Sequence, residues 1–101
     1  MDEKYFKEQI SEELDGAKCY IKKAIDLKPM APSWSKMLAE MSSAELKHAE
    51  YLRQMFNEYY QKITQAYKII PLYIHEGYKH TMDMYDEEVP KIKAMHEMFN
   101  Q

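Results

Sequence analysis

The sequence predicts an all-α fold: an antiparallel helical hairpin plus a third helix, completed to a four-helix bundle by homodimerisation. Three observations predict it. Apolar residues recur at alternating steps of three and four along nearly the whole chain, the spacing of one helix face, and no alternating strand pattern interrupts them. The 101 residues include only two glycines and four prolines, so helices have few places to break. A chain this short encloses no large core by itself, so a second copy is expected to cover its apolar faces.

The whole chain reads as one domain. The first helix is expected over residues 2–27 and ends at Lys28-Pro29, because the residue before a proline is disfavoured in the helical region. The linker Pro29-Met30-Ala31-Pro32-Ser33 puts Pro32 in the first turn of the second helix, or Ser33 at its cap. The second helix is expected over residues 33–69, since no breaker occurs before Pro71. At ~1.5 Å per residue it would be on the order of 55 Å long. The third is expected over residues 72–100, with a stripe of Ile74, Tyr78, Met82, Tyr85, Val89, Ile92 and Phe99, and a kink or split near Pro90.

Charge and composition exclude several classes. A net charge of −3 argues against a nucleic-acid groove. With 31% charged residues, the chain is neither a membrane span nor, at 46% hydrophobic, a disordered tail. No signal peptide is expected, since the first turn is Asp2, Glu3 and Lys4 rather than an apolar run. Cys19 is the only cysteine, so no intrachain disulfide can form and a cytoplasmic setting is expected. It is read as a small buried apolar residue. The nine methionines are read as adaptable core and interface filler.

Three polar residues interrupt the apolar seams. On the first helix the seam is Phe6, Ile10, Glu13, Ala17, Tyr20, Ala24 and Leu27. On the second it is Trp34, Leu38, Met41, Glu45, His48, Leu52, Met55 and Tyr59. A carboxylate on such a face is costly unless it is paired or binds a cation. Glu45 and His48 are three apart and share a helix face. The short linker forces an antiparallel hairpin, and Glu13 lies as far before its centre at Met30 and Ala31 as His48 lies after it. All three should meet at one level. Oxygen and nitrogen donors without thiolate suit iron, manganese or zinc. The competing readings, without metal, are a seam that faces solvent locally or a buried hydrogen-bonded Glu13–His48 pair.

The segment Glu13-Leu14-Asp15-Gly16-Ala17-Lys18-Cys19-Tyr20, followed by Glu45-Leu46-Lys47-His48-Ala49, resembles the first half of the rubrerythrin and ferritin-like pattern. In that family a helix-1 glutamate is followed seven residues on by a tyrosine, and helix 2 carries Glu-x-x-His-Ala. The resemblance covers residues 6–56. It implies that two chains together supply four glutamates and two histidines, the ligand set of a di-iron carboxylate bundle. It also implies two iron ions per dimer and ferroxidase-type or peroxide-reducing oxidoreductase chemistry, with Tyr20 supporting a ligand carboxylate.

Residues Glu76 to Tyr85 echo the family's third helix more weakly, with Lys79 where a carboxylate belongs, and no fourth helix with a second Glu-x-x-His follows. This truncated plan is similar to that of encapsulated ferritins, which build the site across a dimer. An encapsulin shell is therefore a candidate partner, although no targeting tail is legible after Phe99. Homodimers or higher homo-oligomers are expected, with neither nucleic acid nor membrane as partner.

Two weaker features remain. His75, Glu76 and His80 offer an accessory cation site, with a solvated helix face as the plainer reading. Asp83, Asp86, Glu87 and Glu88 form an acidic run able to attract cations, or simply a solvated surface. The alternative function is a non-catalytic helical assembly protein that keeps the same fold and holds at most a structural metal.

Overall fold

The structure is a computed structural model and describes residues 2–101. Among them it contains three helices and no strand: α1 (Glu3–Leu27), α2 (Pro32–Ala66) and α3 (Leu72–Phe99). Asp2 caps α1, its side chain accepting a hydrogen bond from the Tyr5 amide at 3.0 Å, and Glu3 in the first turn suits the positive end of the helix dipole. Lys28 keeps helical dihedrals, φ −52° and ψ −46°, despite preceding a proline. The helix therefore stops for another reason: Pro29 has no N–H with which to continue the ladder. Pro32 occupies the first helical position of α2, as expected from its fixed φ.

One boundary differs from expectation. α2 ends at Ala66 rather than residue 69, where Tyr67 turns extended (φ −121°, ψ 135°) while its N–H still donates to the Ile63 carbonyl. The following Ile69-Ile70-Pro71 run combines poor helix formers with a residue restricted by its proline neighbour, so the turn begins early. α3 runs on through Pro90 as one helix, so of the kink or split expected there the split does not occur. Pro90 is exposed, and α3 stays helical across it at the cost of the backbone bond that proline cannot donate and of crowding against the carbonyl one turn earlier.

The core is a ladder of small and large residues centred on α1. Phe6, Ile10, Leu14, Ala17, Ile21 and Ala24 form its buried stripe. α2 faces it with Ser35, Ala39, Ser42, Ala49, Leu52 and Phe56, and α3 adds Thr81, Met82, Val89 and Ile92. Four of the six α2 positions are Ser or Ala, so the hairpin's backbones pack closely. The two serines remain satisfied by donating to α1 carbonyls, Ser35 to Ala24 and Ser42 to Ala17, both at 2.6 Å. At the other end, aromatic rings fill the wider space. Phe6 stacks on Phe56 at 5.0 Å between centroids, and Tyr78 meets Phe56 edge-on at 5.1 Å. Burial of a ring such as Phe56 contributes roughly 1.5–3 kcal/mol.

This arrangement corrects the seam expected on α2. Trp34 is 65% exposed, Met41 45% and Met55 42%, because the buried stripe runs one residue further on. On α1, Glu13, Tyr20 and Leu27 are half-buried at the edge, while Leu14 and Ile21 take the centre. Cys19 is exposed rather than buried. α3 packs chiefly against α1, leaving the α2 flank uncovered. The molecule measures 57 × 20 × 16 Å. No helix is long and apolar enough to cross a membrane.

Candidate metal centre

Glu13 on α1 and Glu45 and His48 on α2 meet at the open edge of the hairpin, at the level the register predicts. One donor atom from each lies within 4.8 Å of the other two. With bonds of ~2.0–2.2 Å to a shared ion, two ligands lie roughly 3–4 Å apart, so small side-chain rotations close the set. His48 Nδ1 is 3.5 Å from Glu13 Oε2, a distance that leaves room for a cation and is long for a hydrogen bond.

The electrostatics leave the site short of positive charge. Glu13 Oε2 is a buried atom with no hydrogen-bond partner. Hydrogen bonding with the Glu13 carboxyl pushes the Glu45 carboxyl above its usual range; burial and Glu13's negative charge add to this, and His48 only partly opposes it. Two carboxyls in this position either share a proton or take up a cation. The side chains are 22% exposed at Glu13 and 55% at His48, so the site opens to solvent on the flank that carries Trp34, Met41 and Met55.

Gly16, one turn after Glu13, faces the same point. A Cβ there would lie 3.3 Å from Glu45 Oε2. Tyr20 is half-buried on the same edge of α1, yet no hydrogen bond joins it to the three donors among the described residues. The residues present fit a metal ion: two carboxylates and an imidazole converge, and one buried carboxylate oxygen lacks a partner.

The accessory cation site is not assembled. Glu76 and His80 are exposed on α3 and, among the described residues, join no third candidate ligand. His75 instead hydrogen-bonds through Nδ1 to the Tyr60 hydroxyl. The acidic run behaves as a solvated surface laced with ion pairs: Asp83 to Lys79 at 2.7 Å, Asp86 to Arg53 at 3.3 Å and Glu88 to Lys18 at 3.7 Å.

One polar link escaped the sequence reading. His96 on α3 lies 2.9 Å from the Ser42 hydroxyl through Nε2. Ser42 already donates to Ala17, so it accepts here and the His96 proton sits on Nε2. The small residues Ser35, Ala39, Ser42 and Ala49 at helical spacing were the signal for this face. They were outweighed by the larger apolar residues one position earlier.

Comparison with family models, curated proteins and solved structures gives no match to the chain. The functional reading therefore rests on the residues and their arrangement.

Proposed function

We propose that this chain is a ferritin-like di-iron carboxylate protein that oxidises ferrous iron with dioxygen or peroxide at a site shared between two copies. The observation that carries the reading is the convergence of Glu13, Glu45 and His48 around an unpartnered buried carboxylate oxygen, on the one hairpin flank that α3 leaves uncovered. Three donors leave an ion undercoordinated. Two hairpins packed by their Trp34, Met41 and Met55 flanks would bring together six, and would also cover exposed apolar surface.

Two ferrous ions give up one electron each, enough to take dioxygen and two protons to hydrogen peroxide. The chain's part is to hold Glu13 and Glu45 as anionic donors, to orient His48 through the helix register, and to exclude water by the apolar flank. Manganese or zinc suits the same donors. The single cysteine is consistent with a reducing cytoplasm.

The second reading is a non-catalytic assembly protein. It is favoured by the same exposed flank, which calls for a partner whether or not metal is bound, and by an α3 with no clustered ligands. The two separate on metal content and oxygen uptake. Protein from iron-supplied cells should carry about two ions per dimer. Ferrous ion should drive oxygen consumption that Glu45→Ala abolishes while leaving the helices folded. A metal-free protein with no uptake supports the assembly reading.

A further inference from the structure

We propose that Gly16 is a positioning residue of this metal centre: the space left by its missing side chain is where the Glu45 carboxylate rests, and that space holds Glu45 within reach of Glu13 and His48. The inference rests on the metal reading and adds a residue to it. Gly16 lies inside α1, where glycine is a much poorer helix former than alanine. No glycine here has a positive φ, so backbone conformation does not call for it. Nor does close contact between helix backbones. The three nearest atoms to a Cβ at Gly16 all belong to one side chain: Glu45 Oε2 at 3.3 Å, Cδ at 3.6 Å and Cγ at 3.7 Å.

A methyl group at this position would press on the carboxylate and make it withdraw by a few tenths of an ångström. Metal–ligand distances tolerate only about 0.2 Å. Stability and binding therefore make opposite demands on this residue. Alanine would favour the helix, while glycine favours the donor set. Gly77 on α3 provides the contrast, because a Cβ there would meet the flexible carboxylate of Glu3 and no candidate ligand.

The test compares wild type, Gly16→Ala and Gly77→Ala in the full chain. Each is melted without metal, then titrated anaerobically with ferrous ion and with cobalt(II), whose visible spectrum reports its coordination. The expected result is a Gly16→Ala variant that melts higher than wild type without metal, binds both ions at least ~10-fold more weakly, and shows an altered cobalt spectrum. Gly77→Ala should bind as wild type does. If Gly16→Ala binds with wild-type affinity and an unchanged spectrum, the inference falls while the metal reading stands. If it fails to fold, Gly16 serves packing and the inference also falls. If wild type binds neither ion, both fall together.

Discussion

Removing the Glu45 charge should stabilise the metal-free protein. Its folded carboxyl titrates above the usual 4.5, so its contribution to stability is complete below that pH and is lost as pH rises through the folded value. At pH 7 the ionised group is a liability beside Glu13. Glu45→Gln should therefore raise the metal-free melting temperature at pH 7, with the gain shrinking as pH falls through the folded value and gone below 4.5, and should abolish metal-induced stabilisation. Thermal melts with and without ferrous ion, across this pH range, check both halves. His96 has the opposite sign. Burial lowers its pKa from 6.5, so the folded protein favours the neutral ring, and stability is lost as pH falls below 6.5. His96→Gln keeps a donor for Ser42 and removes the titration. Its melting temperature should fall less than that of wild type on acidification from pH 7 to pH 5.

The hairpin's register was legible because it depends only on a short linker and equal counts on either side of it, which brought Glu13 opposite Glu45 and His48. The rotation of α2 about its axis was not. Trp34, Met41 and Met55 are the larger apolar residues, but α1 is approached by the Ser35–Ala39–Ser42–Ala49 face, since small side chains let two helices come close. The end of α2 was misplaced by three residues because no breaker precedes Pro71, whereas the β-branching of Ile69 and Ile70 and the following proline favour extended backbone. Pro90 was expected to kink or split α3, and the helix runs on through it unsplit, with a backbone hydrogen bond missing. Pro90→Ala should then stabilise the protein by about 2 kcal/mol, the helix-propensity gain less the looser unfolded chain. Urea denaturation measures it. No gain would mean that Pro90 is already accommodated at no cost.

The rod formed by one chain leaves one long flank of α2 apolar and uncovered, interrupted by Glu45 and His48. The dimer we propose would bury that surface, so Trp34→Glu with Met41→Lys should abolish self-association. Helix content should be unchanged, since both side chains are exposed within one chain, 65% and 45% respectively. Analytical ultracentrifugation with circular dichroism reads both outcomes. α3 was largely legible: it spans nearly the expected residues, its stripe of Tyr78, Met82, Val89 and Ile92 packs on the core, and Glu76 and His80 lie exposed, the plainer of their two readings. The centre itself is tested most directly by an anomalous-diffraction map at the iron edge, from crystals grown with ferrous iron. Our account predicts two ions for each pair of chains, every ion touched by Glu13, Glu45 and His48 side chains. No iron peak, or peaks away from these three residues, would contradict it.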